Sequence, residues 1–235
     1  MFLLSDYPGR IIIVGKANDD NVFALYAITG RSSASRARKL VLDEKEKTIF
    51  VVPTNEVEIE KGNRELLIYP AIWWNDGIVV SNGKQTESII NSIVVSVTKR
   101  NRNAREILEN GLSNWTYEPD EPHFTPRISA YINENNCTVS ILKRNTNGNE
   151  ERNFFDIELQ NNRAAYISTY NGENINPLPS FMGEPREIIF HSSKSKDLCE
   201  ELFTTLNEEF RVATASVMKN STTNLITAFI FNNNN

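Results

Sequence analysis

The apolar residues of this chain form two blocks of strand-like runs, with a helical stretch between them and another near the end. That order constrains the fold more than any total does. In the first block Ile11–Val14 and Val22–Ile28 are rich in β-branched residues and flank the turn-forming Asn18-Asp19-Asp20. Thr48–Val52, Leu66–Trp74 and Gly77–Val80 follow as strands, the last ending in Ser81-Asn82-Gly83, where Gly83 suits a left-handed turn position. Then the period changes. Ile89, Ile90, Ile93, Val94 and Val97 fall on one helical face, and Asn103 with Glu106 opens a second helix that runs to Leu112. Strands return at Arg127–Ile132, Thr138–Arg144, Phe154–Leu159 and Arg163–Tyr170, with Asn147-Gly148 as a hairpin turn between two of them. Ser195–Phe210 reads as a helix with Leu198, Leu202, Leu206 and Phe210 one turn apart, and Val212–Met218 and Leu225–Phe231 close the chain as strands. This is the pattern of an α+β protein with large antiparallel sheets. No repeat or linker interrupts it, so a single domain over residues 1–235 is expected.

Two short runs stand out. Gly30-Arg31-Ser32 through Arg38, and Thr125-Pro126-Arg127-Ile128, set arginines beside small hydroxyl residues at breaks between strands. Guanidinium forks bind phosphate bidentately and short hydroxyls complete the donor set. The net charge of −5 makes any such site a local positive pocket, which fits a small phosphorylated ligand and not a nucleic acid. No apolar run approaches the ~20 residues that span a membrane, and Met1-Phe2-Leu3-Leu4 is too short for an export signal. A cytoplasmic protein is expected. Its two cysteines, Cys137 and Cys199, then read as free buried thiols, and with only His123 and His191 as histidines no metal site is assigned. Gly9 to Lys16 imitates a phosphate loop, but it has the wrong glycine spacing, Ala17 where a hydroxyl is required, and a β-branched interior; it reads as a strand.

Six pieces occur in order: Tyr7-Pro8-Gly9-Arg10, Gly30-Arg31-Ser32 through Arg36, Val80-Ser81-Asn82-Gly83, Tyr117-Glu118, Thr125-Pro126-Arg127-Ile128 and Tyr166-Ile167-Ser168-Thr169-Tyr170. Together they resemble the archaeal-type IMP cyclohydrolase family, from Tyr7 to Tyr170. The resemblance implies a four-layer αββα fold like that of N-terminal-nucleophile (Ntn) hydrolases, without a processed N-terminal nucleophile. It also implies dehydrative closure of 5-formamidoimidazole-4-carboxamide ribotide to IMP, with no cofactor. Two departures are visible. Archaeal members carry Asn before Thr-Pro-Arg-Ile where this chain has Phe124, and Asn174–Pro185 with the C-terminal portion extends past their compact pattern.

By resemblance Arg36, Tyr69 and Glu118 match the family's central catalytic groups. Glu118 would position or deprotonate the carboxamide nitrogen, Tyr69 would serve the formyl oxygen, and Arg36 would fix the ribotide. Arg31 with Ser32, Thr125 with Arg127, and the turn Asn82-Gly83 are the candidate substrate-binding residues. Taken singly, Tyr69 reads as a core aromatic, Glu118 as one acid of a solvated loop, Asn82-Gly83 as an ordinary turn and Arg127 as a surface strand residue. Trp73-Trp74 is expected to split between core and surface. The expected partner is a small purine ribotide, with a homo-oligomer, tetramer or dimer, as the assembly. Two other functions stay open: a same-fold enzyme on another ribotide or amide, and a nucleotide-binding regulator without turnover.

Overall fold

A computed structural model describes residues 6–17, 21–98, 103–190 and 192–233. The chain runs β1 (Arg10–Lys16), β2 (Asn21–Thr29), α1 (Ser33–Arg36), β3 (Arg38–Asp43), β4 (Thr48–Pro53), α2 (Glu56–Ile59), α3 (Arg64–Leu67), β5 (Tyr69–Trp74), β6 (Ile78–Ser81), α4 (Gln85–Thr98) and α5 (Ala104–Gly111). It continues through β7 (Arg127–Ile132), β8 (Cys137–Arg144), β9 (Glu150–Ile157), β10 (Arg163–Ser168), β11 (Arg186–Ile189), α6 (Ser195–Thr205), β12 (Arg211–Asn220) and β13 (Ile226–Asn232). Two antiparallel sheets result. A seven-stranded meander has the order β3-β4-β5-β6-β7-β8-β9, and a six-stranded sheet has the order β11-β10-β1-β2-β12-β13.

Side-chain alternation explains how the layers meet. On β7, Ile128, Ala130 and Ile132 enter the large core shared with β1 and β2, while Tyr131 joins Val79, Leu142 and the helix residues Ile89, Ile107 and Leu108 on the opposite face. The α4–α5 pair therefore covers the seven-stranded sheet. On β12, Ala213, Ala215 and Val217 are buried in that core, whereas Thr214 and Ser216 hydrogen-bond Cys199 and Ser195 of α6. Covered on both faces, β1 and β2 are continuous apolar runs and not alternating ones: Ile11, Ile12, Ile13, Val14, Leu25 and Ile28 are all at most 1% exposed. Each such side chain contributes about 1.5–3 kcal/mol of burial.

Several expected elements shift. The strand expected from Leu66 starts at Tyr69, because Asn63 caps the single turn α3 by accepting from the Glu65 amide. The helix expected to reach Phe210 ends at Thr205. Leu206 is already extended, and Phe210 turns away to meet Tyr7 edge-on at 5.3 Å. Gly83 does not adopt a positive φ; a Cβ there would lie 2.5 Å from Gln85 Oε1 and 2.6 Å from Arg127 Nη1, so close approach is what requires glycine. Val94 is 61% exposed, off the buried stripe of α4, and the Val97 side chain lies outside the described residues, as does His191. Strand β11 and the one-turn helices α1 and α2 carry too few residues to announce themselves by period, and β3, with Arg38, Lys39 and Asp43, holds only a short apolar run. Trp74 is buried between the sheets while Trp73 packs partly against the helix layer. Cys137 and Cys199 are free and buried.

The registers bring particular termini together. Arg10 pairs with Ile28, Ile11 with Ser168, and Ser81 with Ser129. The start of β1 and the ends of β2 and β10 therefore lie at one rim of the first sheet. The end of β6 and the start of β7 share one rim of the second.

Candidate active site

Glu118 lies in the loop before β7, and that loop is closed on itself. The Glu118 amide donates to Thr125 O at 2.8 Å, and the Asp120 carboxylate accepts from the Thr125 amide at 2.6 Å and from its hydroxyl. Phe124 sits at φ +45°, under the Arg144 guanidinium at 4.0 Å, so this side chain faces away from Glu118 toward another groove.

The closed loop buries Glu118 to 2% exposure and points its Oε1 at three donors. Arg10 Nη2 donates at 2.8 Å, Asn82 Nδ2 at 3.3 Å, and Arg127 Nη1 stands 4.0 Å away. Asn82 is locked in turn: it donates to Pro126 O at 2.9 Å and accepts from the Ile128 amide at 2.8 Å and from Gln85 Nε2 at 3.0 Å. Gln85 Oε1 accepts from Arg127 at 3.0 Å, and the Trp115 ring covers the same guanidinium at 4.8 Å. Asn82 and Arg127 are thus each held in place by further groups.

Burial pushes the Glu118 pKa above the ordinary carboxylate range, against the pull of Arg10 and Arg127. Burial also opposes the Arg10 charge, but Glu118, with Tyr69, Tyr170 and Tyr26 around it, overrides that and raises the Arg10 pKa well above normal. Arg127, with burial dominant, is lowered. Burial likewise lifts the Tyr170 phenol, whose oxygen is 2.5 Å from Thr125 Oγ1. Among the described residues Arg10 Nε, Arg127 Nε and Arg38 Nη1 are buried donors without an acceptor. Such a group costs roughly 1–3 kcal/mol, which a polar ligand atom would relieve.

Glu118 and Arg10 line a cavity of about 510 Å³, with Arg31, Ser32, Asp120, His123 and Tyr170 adding polar groups. His123 Nδ1 accepts from the Leu178 amide at 3.1 Å, and burial lowers its pKa. Arg31 Nη1 donates to Asn174 Oδ1 at 2.9 Å and Ile175 O at 3.2 Å, so residues 174–178 fasten to the cavity rim at two points.

Glu118, Asn82, Gly83, Thr125 and Arg127 form one connected cluster, and Arg31 and Ser32 stand at the mouth. Tyr69 is 2% exposed, behind the cavity wall, with its hydroxyl 2.8 Å from that of Tyr26. Arg36 is elsewhere. It is exposed, donates to Gly30 O at 3.1 Å and lies beside Phe210, while Arg38, two residues on, is the one buried toward Tyr26. Several residues of the site, Gln85 and Trp115 among them, had no role assigned from sequence. Arg10 and Tyr170 belong to recognisable motifs, whereas Asp120 and His123 carry no local signal at all.

Among the described residues, no group of three or more His, Cys, Asp or Glu side chains is placed to hold a metal ion, and no helix is long and apolar enough to cross a membrane.

Comparison with known proteins gives one consistent result. The family model described as IMP cyclohydrolase-like protein matches residues 7–224. The IMP cyclohydrolase of Methanocaldococcus jannaschii is 30% identical over 186 residues, 78% of this chain and 83% of that protein. That of Methanococcus aeolicus is 24% identical over 200 residues, covering 83% and 86%, and that of Methanococcus maripaludis strain C7 is 26% identical over 175, covering 72% and 77%. The family match runs well past Tyr170, so β11, α6 and β12 belong to the shared pattern and are not an addition to it.

Proposed function

Because this chain belongs to the IMP cyclohydrolase-like family, we propose that it closes 5-formamidoimidazole-4-carboxamide ribotide to IMP with loss of water. The observation that carries the reading to this molecule is the buried Glu118 carboxylate between Arg10 and Arg127, opening on a cavity of nucleotide size.

The substrate holds its nucleophile and electrophile on adjacent ring carbons. The carboxamide nitrogen attacks the formyl carbon, a C–N bond forms, and the formyl oxygen takes up negative charge and then a proton. Loss of that oxygen as water, with the remaining proton from nitrogen, completes the ring. Intramolecular attack makes orientation the larger part of the task, and a fitted cavity supplies it. Glu118 accepts the carboxamide proton and passes it to the oxyanion, then takes the remaining nitrogen proton and gives it to the departing hydroxyl; a raised pKa suits a group that must both take and give a proton. Arg10, fixed and buried, faces the developing oxyanion with its unpartnered Nε–H. Tyr69, buried at the start of β5 beside this rim, is assigned the second hydrogen bond to that oxygen. Asn82 holds the carboxylate, and Arg31 with Ser32 at the mouth takes the phosphate.

The same reading carries the finer structural expectations. Helices α4 and α5 on one sheet and α6 on the other support a four-layer αββα arrangement of the Ntn-hydrolase kind, working as one unit over residues 1–235. A cytoplasmic homo-oligomer without a cofactor completes the proposal. The test is direct: purified protein mixed with the formylated ribotide should produce IMP, followed by ultraviolet absorbance. A folded protein that leaves the ribotide unchanged refutes the reading.

A further inference from the structure

The geometry points to Tyr26 as a positioning residue for this reaction: it donates its hydroxyl hydrogen to Tyr69 and so leaves the Tyr69 hydrogen free to be given to the substrate oxygen. The inference deepens the function proposed above and rests on it.

The argument is a count of protons. Tyr26 on β2 and Tyr69 on β5 meet across the two sheets, 0% and 2% exposed, with their oxygens 2.8 Å apart. Neither hydroxyl has another hydrogen-bond partner among the described residues. Two hydroxyls carry two hydrogens, and one shared bond uses one of them. A buried O–H that fails to donate is penalised, so the deeper phenol, with no other acceptor, spends its hydrogen on its neighbour. That phenol is Tyr26. Burial and the bond to Tyr69 both favour its protonated form, while Arg10 and Arg38 pull the other way without prevailing. The spare hydrogen then belongs to Tyr69, the phenol nearer the chemistry: Ile72 pairs with Val80, so Tyr69 opens β5 at the rim from which Asn82 leaves β6, whereas Tyr26, opposite Ile12, lies two residues in from the rim at Arg10. The surroundings argue against a merely structural pair. Ile12 pairs with Tyr26 and both tyrosines belong to the shared apolar core, so two phenylalanines would fill the place without any polar group to satisfy. Hydrogen bonds in series also strengthen one another, so a donor behind Tyr69 makes Tyr69 the better donor in front.

The experiment is a double-mutant cycle on ribotide turnover, with IMP binding and melting measured alongside. Tyr26→Phe should lower kcat about three- to tenfold, the scale of one neutral hydrogen bond, with KM and IMP affinity unchanged. Tyr69→Phe should cost more, and the double variant should match Tyr69→Phe alone, because Tyr26 acts only through Tyr69. Should Tyr26→Phe not fold, 3-fluorotyrosine at position 26 keeps the ring and hydroxyl while making a stronger donor, and kcat should rise. Wild-type kcat in Tyr26→Phe, or multiplicative losses in the double variant, or no response to fluorination, overturns the inference while leaving the function standing. Absence of turnover in the wild-type protein, or full activity in Tyr69→Phe, is the separate failure of the function or of the role given to Tyr69, and takes this inference with it.

Discussion

Replacing Glu118 by glutamine separates what the carboxylate does for chemistry from what it does for the fold. Gln keeps the volume and an Oε1 that still accepts from Arg10 and Asn82, now 2.8 and 3.3 Å away. What disappears is the charge and the ability to carry a proton. Loss of an acid–base group cuts turnover about 10²–10⁴-fold, or roughly 2.7–5.5 kcal/mol of barrier, and IMP affinity should stay within a few-fold. Stability is set by two opposing effects. Weakening two charge-assisted bonds to neutral ones costs on the order of 1–2 kcal/mol, while removing a buried carboxylate returns its desolvation penalty. The raised pKa says that the penalty wins. The native state therefore holds the Glu118 proton more tightly than the unfolded chain does. Its stabilising effect is complete below the ordinary carboxylate pKa and is lost as pH rises through the raised value. Glu118→Gln should accordingly melt no lower than wild type at pH 7 to 8, and the two curves should converge in acid, where both side chains are neutral. Calorimetric melting across that range decides it. A drop of several degrees at neutral pH would mean that Arg10 and Arg127 overcompensate the burial, and the assignment of Glu118 as a proton-exchanging group would go with it.

Arg31→Ala should weaken ribotide binding by about 1.5–3 kcal/mol, the value of a charge-assisted bond, as read by calorimetric titration; Asn174→Ala should not, since it only releases Arg31 from its contact with the strap. Arg36→Ala should leave kcat and KM within a few-fold of wild type because that side chain is exposed beyond the cavity, and a large loss of binding would restore it to the site. Gly83→Ala should reduce turnover, because the added methyl displaces Gln85 and Arg127 by contact at 2.5 and 2.6 Å; an unaltered rate would show that the position of Arg127 is unimportant. Turnover should persist in the presence of a chelator, and a loss reversed by added zinc or magnesium would refute the cofactor-free proposal.

What the sequence disclosed follows from how far each signal extends. Longer runs such as Val22–Ile28 and Arg127–Ile132 mark strands because burial on a pleated surface selects β-branched and apolar residues over many positions. One-turn helices and four-residue strands such as β11 offer no period to read. Around the site, Glu118 and Arg127 were visible through their motifs, but their connection was not. That Arg10 on β1 meets Glu118, 108 residues away, depends on which strand ends share a rim, and this is a property of sheet order. The choice between Arg36 and Arg38 turned on two positions at the exit of a single helical turn: Arg36 leaves it toward solvent, and Arg38 begins the next strand pointing inward. Side-chain type is the same at both, so only the backbone path distinguishes them.

The strand order has a consequence for how the molecule is made. The meander from β3 to β9 pairs only consecutive strands, so it can zip up as it leaves the ribosome, with one long wait between β6 and β7 while α4, α5 and the Glu118 loop are made. The hairpin of β1 and β2 is synthesised first yet waits longest, since β2 pairs with β12 and β1 with β10. Contacts of such long sequence separation close late and fold slowly. Until β10 emerges β1 has one edge unpaired, and β2 keeps its own unpaired until residues 211–220 follow, so the early nascent protein is the form in need of chaperone protection. Arg10 rides on β1. The charge facing Glu118 is therefore held between two strands only once β10 has added to β1, after the whole meander and the Glu118 loop within it have been made.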